Sequence, residues 1–324
     1  MPELPEVQTT VDGLNAEVKG LKITDVWTDY KSHFHIGKNN IKNPRYFSEF
    51  QKHVIRTTLV GAEREGKNIL MHLDNGKTML VHMKMTGHFL YGAYKKTKGV
   101  WKPVTKDSPL LDLYNRFIHL VFSLSNGQHL AFSDLRKFGK VFIFETSSRK
   151  TIEDLMHLGP DPLQKNFSYA NFKDALMKRA SGRIKQVLMD QSVLAGIGNI
   201  YSDEMLFAAH IHPLSRVVAI PDVILKKLFH EMKIVLKNGI DFGGDSDSDY
   251  RNIYGKRGTF QERHSVYRKT GTACITDDGG KIERLVIGGR SAHFCPKHQQ
   301  RIQKTDSHMR VRSWAICLLL TTFA

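Results

Sequence analysis

The sequence predicts a multidomain α+β protein, with an N-terminal β-sandwich behind a leading helix, a helical region and a small C-terminal β-hairpin unit. Apolar residues recur at helical spacing from Glu6 to Gly20, and Gly20 supplies a stop for this first helix. Apolar and polar residues then alternate in stretches that end at Asn-Gly pairs, which indicates β-hairpins. Helical spacing takes over after residue 146, so we expect a domain boundary there. A chain of 324 residues has room for two or three such domains.

The region up to residue 145 is predicted to be a β-sandwich or barrel. Two of its alternating stretches end at an Asn-Gly pair, and each pair is expected to form a tight hairpin turn with positive φ at both positions. A lysine-rich stretch at 94–109 is expected to be a loop that interrupts the strands. The alternating stretches, with the pairs that end them, are 69–73 with Asn75-Gly76 and 118–124 with Asn126-Gly127.

The region after residue 146 is predicted to contain three helices and a hairpin. A Gly-rich turn at 194–199 separates two short helices, and a third helix is expected to begin at Pro221-Asp222 and to stop at Asn238-Gly239. The run 243–250 is rich in Gly, Asp and Ser, which is typical of a mobile loop. Gly288-Gly289 is expected to form the turn of the final hairpin.

The net charge indicates a polyanionic partner. Lys and Arg number 48 against 32 Asp and Glu, which gives a formal charge of +16. A surface this basic attracts phosphate backbones by releasing their counterions. Nucleic acid is therefore the first candidate partner, and an anionic membrane is the second. With 41% apolar residues, the composition excludes a disordered or collagen-like chain.

Cysteine usage and the chain's first residues bear on its compartment. The three cysteines all lie in the last fifth of the chain, which excludes a disulfide framework and fits a reducing compartment. The N-terminus lacks a basic segment followed by an apolar one, and the longest strongly apolar stretch is the short tail at 314–324. We therefore expect a protein that is neither secreted by a standard signal nor membrane-spanning.

The first six residues carry the most informative chemistry. Pro2 is small enough to permit removal of Met1, which would leave a secondary amine beside Glu3 and close to Glu6. An α-amine has a pKa of about 7.7 to 8.0, so part of it is unprotonated near neutrality. Such an amine can attack an electrophilic sugar carbon to form an iminium, with the carboxylates as general acid and base. The alternative is a stiffened terminus whose two acids serve the first helical turn.

Five short segments add a second line of argument. They are MPELPEV at 1–7, REGK at 64–67, HMKMTG at 82–87, DLRKFG at 134–139 and GIGNIY at 196–201. In this order and spacing they resemble the Fpg/Nei family of DNA glycosylases, and the resemblance covers residues 1 to about 300. The endonuclease VIII branch usually has Gly at the fourth position, so Leu4 favours the branch that acts on oxidised purines.

The resemblance implies roles for four residues in catalysis. Pro2 corresponds to the nucleophile, Glu3 to the acid that helps to release the base and open the deoxyribose, and Glu6 to a supporting carboxylate. Lys67 corresponds to a lysine that contacts the phosphate next to the lesion. Glu65 departs from the pattern, because it places an acid beside that lysine. The alternative for Lys67 is a solvated lysine at a strand edge.

The resemblance also implies that three residues fill the gap left by the everted nucleotide. Met85, Arg136 and Phe138 match this trio. Phe138 can wedge between bases, Met85 can fill an irregular space, and Arg136 can hydrogen-bond the orphaned partner base. The alternatives are a core position for Phe138 and a solvated turn for Arg136.

Further DNA contacts are implied in the helical region and the hairpin. The turn that ends at Asn199 resembles the family's helix-two-turn-helix, in which glycines and a helix N-terminus approach a phosphate. The same motif and the helix before it add Tyr201 and Lys185 as DNA-binding candidates, and Arg290 matches an arginine that grips phosphate at the hairpin tip. The loop 243–258 lies where the family caps the everted base.

The C-terminal unit departs from the family's zinc finger of four cysteines. Its two knuckles are CITD at 274–277 and CPKH at 295–298, so two thiolates keep their register. Cys274, Asp277, Cys295 and His298 would make a closed tetrahedral Zn²⁺ site, with Asp278 as an alternative oxygen ligand. The other interpretation is a zincless finger held by its own hairpin packing.

The sequence thus predicts a bifunctional DNA glycosylase and AP lyase that excises oxidised purines from duplex DNA by β,δ-elimination. The alternatives are an oxidised-pyrimidine glycosylase, a DNA-binding protein without catalysis and an RNA-binding protein. We expect a monomer in the bacterial cytoplasm. The predicted segments are a catalytic β-sandwich at 1–145, a helix-two-turn-helix domain at 146–242, a lesion-capping loop and linker at 243–262, a zinc-finger-like hairpin at 263–300 and a tail of no assigned role at 301–324.

Overall fold

The computed structural model describes residues 1–303, so most of the predicted tail, including Cys317, lies outside the described residues. The described chain forms two compact units. The first comprises Met1–His157 and Leu236–Arg263, and the second comprises Leu158–Val235 and the chain from His264 onward. The predicted boundary after residue 145 thus precedes the point where the chain leaves the first unit. The predicted capping segment at 243–262 belongs to that same unit.

The first helix forms as predicted, with slightly different ends. Helix α1 spans Leu4–Glu17, and its apolar stripe of Val7, Val11 and Leu14 is buried in the core of the first unit. Pro5 in the first turn suits a helix start, because proline lacks the N–H that would be unpaired there. A second helix, α2 (Pro44–Val54), buries Phe50 and Val54 in the same core.

The first unit is built on two antiparallel four-stranded sheets. One sheet has the order β1-β8-β9-β5 and the other β10-β4-β3-β2, and apolar side chains from both sheets form one cluster. This confirms the predicted sandwich. The strands are β1 (Ile23–Thr28), β2 (Leu59–Glu65), β3 (Asn68–Leu73), β4 (Lys77–His82), β5 (His88–Gly92), β6 (Tyr94–Thr97), β7 (Val100–Pro103), β8 (Ile118–Leu124), β9 (His129–Ser133) and β10 (Lys140–Glu145).

The Asn-Gly pairs turn hairpins, but by a different geometry from the one predicted. Both join neighbouring antiparallel strands, β3 to β4 and β8 to β9. Only the glycines have positive φ, 77° at Gly76 and 78° at Gly127, while both asparagines keep negative φ. A loop longer than two residues needs the left-handed conformation at one position only, which explains the difference.

The lysine-rich stretch at 94–109 is not the loop that the sequence predicted. Strands β6 and β7 pair there as an extra hairpin. The Trp101 ring lies 6.0 Å from the Trp27 ring, so the hairpin gains an aromatic contact that offsets its many charges. Lysine content alone therefore did not predict its conformation.

The three predicted helices of the second region form, and two short helices that were not predicted, Glu153–Met156 and Tyr169–Met177, precede them. The third long helix continues past Asn238-Gly239 to Asp241, because neither residue adopts the left-handed conformation that would end it there. No helix among residues 1–303 is long and apolar enough to cross a membrane. The helices are α3 (Glu153–Met156), α4 (Tyr169–Met177), α5 (Ile184–Met189), α6 (Asn199–Ala208) and α7 (Asp222–Asp241).

The last hairpin is formed by β11 (Glu283–Ile287) and β12 (Arg290–Phe294). Gly288 and Gly289 have φ values of 56° and 74°, as a tight two-residue turn requires. Arg290 stands immediately after this turn and is exposed.

Replacing Gly87 should destabilise the first unit, because a Cβ there would lie 2.4 Å from Phe132 Cζ and 2.5 Å from the Met83 carbonyl oxygen. We expect Gly87→Ala to lower the free energy of unfolding by about 1–3 kcal/mol, as overpacking does. Gly61→Ala is the control, because the nearest atom to its Cβ would be 3.8 Å away. Denaturant unfolding measures both, and equal midpoints would contradict the packing at Gly87.

Candidate active site

The N-terminal residues are held together at the start of α1. Glu3 is the N-cap residue and forms a reciprocal capping box with Glu6, whose carboxylate accepts the Glu3 N–H at 2.7 Å. Pro2, Glu3 and Glu6 are all buried, while Met1 is exposed. The two acids therefore do serve the first helical turn, and they also stand beside the predicted nucleophile.

The segment at 243–250 has no helix or strand, but it packs against α1 rather than standing free in solvent. The second oxygen of Glu6 accepts the Asp245 N–H at 2.8 Å. The Tyr250 hydroxyl donates to the Glu6 carbonyl at 3.0 Å, and burial raises the pKa of Tyr250, so it stays a donor. One glutamate thus fixes both the chain's start and the predicted capping loop.

Lys67 lies in the turn between β2 and β3 and is largely buried, which does not fit a solvated lysine at a strand edge. Burial lowers the pKa of His82 to about 3, and the charges of Lys84 and Lys67 add to this effect. The neighbouring Glu65 accepts two bonds from Arg149, at 2.7 and 3.0 Å. Arg149 therefore offsets the acid that departs from the family pattern.

The three predicted gap-filling residues lie on two adjacent loops. Phe138 is 49% exposed and Arg136 is exposed, so the core alternative for Phe138 does not hold. The Arg136 guanidinium lies 4.7 Å from the centre of the Phe138 ring, in a cation–π arrangement. Met85 is half-buried, and the Thr86 hydroxyl next to it accepts the Arg136 N–H at 3.1 Å. The loops are thereby joined directly.

Asn199 begins α6, at the end of the Gly-rich turn. Its side-chain amide donates to the Ser291 hydroxyl at 3.3 Å, which links the turn to the strand that carries Arg290. Its Oδ1 is buried and has no partner among the described residues. A helix N-terminus with an adjacent arginine is a suitable place for an anion.

Lys185 and Tyr201, two of the predicted DNA-binding residues, are buried in the structure. Lys185 is 1% exposed, and its ammonium donates to Asp203 at 2.5 Å and to the Asn199 carbonyl at 3.2 Å. Tyr201 is fully buried. Sequence reasoning missed Asp203, because its partner Lys185 lies 18 residues away and no motif marks the pair.

Two acids of α6 anchor the C-terminal unit. Asp203 accepts from both the backbone N–H and the Nδ1 of His293 on β12, at 3.0 and 2.9 Å. Glu204 accepts three consecutive backbone N–H groups, at 2.7, 3.1 and 2.8 Å. The hairpin is thus held by buried carboxylates as well as by its own packing. The three donors to Glu204 are Ser265, Val266 and Tyr267.

The candidate metal centre differs from the predicted set. Cys274, Asp278 and Cys295 place their donor atoms within 4.8 Å of one another, and no other group of this kind occurs among residues 1–303. Burial raises the pKa of the Cys295 thiol, which lies 3.7 Å from an Asp278 oxygen. Asp277 is not in the group, and it takes the left-handed conformation of the turn, with φ 51°. Two thiols and a carboxylate are a donor set that suits zinc.

His298 is also outside this cluster. Its Nε2 is hydrogen-bonded to the Phe207 carbonyl at 3.1 Å, and its ring stacks on Phe207 at 4.2 Å. Its backbone N–H instead donates to Cys295 Sγ at 3.4 Å, a contact that favours the thiolate form. His298 supports the knuckle through its main chain rather than its imidazole.

The buried ion pair of Lys185 should matter far more for stability than an exposed one. We expect Lys185→Met to lower the free energy of unfolding by about 3–5 kcal/mol, because it leaves Asp203 buried without its cation. Lys173→Met is the matched control, since Lys173 and Asp222 form an exposed pair at 2.7 Å. The control should lose less than about 1 kcal/mol. Urea unfolding of both variants tests this, and similar small losses would contradict the burial argument.

Two protein-family models together match most of the chain. The model described as the formamidopyrimidine-DNA glycosylase N-terminal domain matches residues 1–141. The model described as the formamidopyrimidine-DNA glycosylase H2TH domain matches residues 158–250. The two matches contain the capping box, both gap-filling loops and the Asn199 turn.

Whole-chain comparisons agree. The formamidopyrimidine-DNA glycosylases of Bacillus subtilis and Pelotomaculum thermopropionicum are each 34% identical to this chain over 93% of its length, and the matches cover 100% and 99% of those proteins. The Lactococcus lactis Fpg bound to DNA with an abasic site has a TM-score of 0.77 at 27% identity, over 92% of this chain and all of that one. The same enzyme with Fapy-dG DNA gives 0.75, with the same identity and coverage. The chain therefore belongs to the formamidopyrimidine-DNA glycosylase family.

Proposed function

We propose that the protein is a base-excision-repair enzyme, a bifunctional DNA glycosylase and AP lyase that removes oxidised purines from duplex DNA. The observation that carries the proposal is the N-terminal group, in which Pro2 and Glu3 are buried beside Glu6 at the start of α1. Membership of the family and the net charge of +16 support it. 8-Oxoguanine and formamidopyrimidines are the proposed lesions.

The proposed reaction begins with the Pro2 nitrogen, which becomes the N-terminus when Met1 is removed. The nitrogen attacks C1′ of the damaged nucleotide, and the bond from C1′ to the base breaks, so that the base departs with its electron pair and takes up the proton that the Pro2 nitrogen loses. Glu3 donates a proton to the ring oxygen as the sugar opens, which leaves an iminium between Pro2 and C1′. Loss of a C2′ proton then expels the 3′ phosphate, and a second elimination expels the 5′ phosphate.

Glu6 is proposed to support this reaction by position rather than by proton transfer. Both of its oxygens accept backbone N–H groups, from Glu3 and Asp245. A carboxylate used in this way keeps the nucleophile and its acid in register. The same bonds hold the loop proposed to cap the everted base.

The proposed DNA contacts rest on the charge of Lys67 and Arg290, on the exposure of Arg136, Phe138 and Arg290, and on the family resemblance. We assign phosphate binding to Lys67, to the α6 N-terminus at Asn199 and to Arg290. Met85, Arg136 and Phe138 are proposed to fill the gap that eversion leaves.

Lys185 and Tyr201 keep a supporting role beneath the Asn199 turn, since Lys185 bonds the Asn199 carbonyl. We infer that the enzyme acts as a monomer on duplex DNA. The relatives reported above are bacterial proteins, so we place this enzyme in the bacterial cytoplasm, where the DNA is.

We also propose that the C-terminal unit binds one Zn²⁺ through Cys274, Asp278 and Cys295. These three donors lie together and face one another, with the thiols buried. Bound zinc would supply structural cross-linking of the two knuckles rather than chemistry.

Borohydride trapping on an oligonucleotide duplex with one 8-oxoguanine tests the nucleophile. Protein with a free Pro2 should give a covalent adduct, because borohydride reduces the iminium. Protein that retains Met1 should bind the same duplex without forming the adduct, since its Pro2 nitrogen is an amide.

Two outcomes would contradict this proposal. Equal trapping with the blocked terminus would move the nucleophile to a lysine. Stronger trapping on a matched duplex with an oxidised pyrimidine would place the enzyme in the other branch of the family.

The zinc proposal is tested by metal analysis of purified variants. Native protein should contain about one zinc per chain, as a structural site does. Asp278→Asn should lose the metal, and Asp277→Asn, its neighbour, should retain it, because only Asp278 lies within 4.8 Å of both thiols. Cobalt substitution gives a second readout through thiolate charge-transfer absorption. Metal-free native protein, or loss of zinc from the Asp277 variant alone, would refute the assignment.

A further inference from the structure

We propose that Asp134 is a positioning residue that holds Met85, Arg136 and Phe138 as one rigid wedge, and that eversion of the damaged nucleotide depends on its buried carboxylate. The inference rests on the proposed function, because a wedge is needed only by an enzyme that takes a nucleotide out of the duplex. Asp134 is fully buried, whereas Arg136 and Phe138 are exposed. It would therefore act through these residues rather than on DNA itself.

The Asp134 carboxylate accepts hydrogen bonds from three separate parts of the first unit. One oxygen accepts the Tyr30 hydroxyl at 2.9 Å and the Gly139 N–H at 2.7 Å, and the other accepts the Thr86 hydroxyl at 2.5 Å. Bonds to a buried charged acceptor are stronger than neutral ones. Burial and the charge of Asp134 raise the pKa of Tyr30, so the phenol remains a donor.

The first effect of these bonds is to close the loop that carries Arg136 and Phe138. The Gly139 N–H returns to the side chain of Asp134, and the Lys137 N–H returns to its carbonyl at 3.1 Å. Lys137 has φ 54°, a conformation that a non-glycine residue keeps only when its surroundings fix it. The buried ammonium of Lys42 donates to the Lys137 carbonyl at 2.7 Å and supplies part of that restraint.

The second effect is to couple this loop to the one that carries Met85. The Thr86 hydroxyl donates to Asp134 and accepts the Arg136 N–H at 3.1 Å. A single buried hydroxyl thus joins the residue beside Met85 to the backbone of Arg136. All three gap-filling side chains therefore stand on backbone that meets at one carboxylate.

The rigidity of these loops matters because insertion of the three side chains must offset the free-energy cost of unstacking the duplex. If a loop became ordered only as it entered the DNA, the conformational entropy that it lost would reduce the net free energy of binding. The hydrogen bonds to Asp134 hold both loops in an ordered conformation before DNA binds. Their loss should therefore slow eversion on duplex DNA and leave the chemistry of an already extruded sugar nearly unchanged.

The test compares two substrates across four variants. The first substrate is a duplex with 8-oxoguanine beside 2-aminopurine, whose fluorescence reports unstacking, and the second is a single strand with an abasic site. Asp134→Asn removes the charge, Thr86→Val removes the bridging hydroxyl, and Thr86→Ser restores it. Asp25→Asn, at an exposed carboxylate on β1 outside the network, is the matched control.

We expect Asp134→Asn and Thr86→Val to slow the fluorescence change and duplex excision by about tenfold or more, as the loss of a charge-assisted hydrogen bond allows. Trapping on the single strand should stay within about twofold of the native value, because no wedge is needed there. Thr86→Ser and Asp25→Asn should match the native protein on both substrates. If Asp134→Asn does not fold, the Thr86 pair decides the question.

Equal losses on both substrates, or no loss on the duplex, would overturn the role of Asp134. A Thr86→Ser variant as slow as Thr86→Val would also overturn it, because packing rather than the hydroxyl would then be at work. Failure of the proposed function has a different result, since native protein would then form no adduct with the single strand. The two failures are therefore distinguishable.

Discussion

A chain terminus ordinarily frays, and the Glu6 carboxylate prevents this at the start of this chain. It accepts N–H groups from Glu3 and Asp245, which lie more than two hundred residues apart in sequence. The proposed nucleophile, its acid and the proposed cap consequently share one anchor. Reactive geometry at a terminus is possible only with such an anchor, because a near-attack arrangement is lost by displacements of about 1 Å.

Buried carboxylates also join separate segments at other places in the described chain. Asp134, Asp203 and Glu204 are buried, and each accepts hydrogen bonds from a second segment of the chain. In a protein with a charge of +16, these acids lie inside, where they organise backbone and add no negative charge to the surface. Their burial suits a ligand made of phosphates, since acids at the surface would repel it.

Features set by local sequence could be predicted, and those set by distant partners could not. The first helical turn, the hairpins that turn at Asn-Gly and Gly-Gly pairs and the α5–α6 turn follow from residues within a few positions of one another. The burial of Lys185 could not be predicted from the helix that carries it. Lys185 pairs with Asp203, and Asp203 is itself held by His293 on β12. Asp278 rather than Asp277 lies beside the two thiols, and the spacing of the knuckles does not distinguish these neighbouring acids.

The anchoring of the last hairpin by α6 has a consequence for the knuckles. Asp203 and Glu204 hold β12 and the segment before the first knuckle through buried hydrogen bonds that involve no cysteine. These bonds do not depend on the knuckles, so they would still hold β12, which carries Arg290, if a knuckle cysteine were replaced. An isolated finger, folded only by its metal, has no such second support.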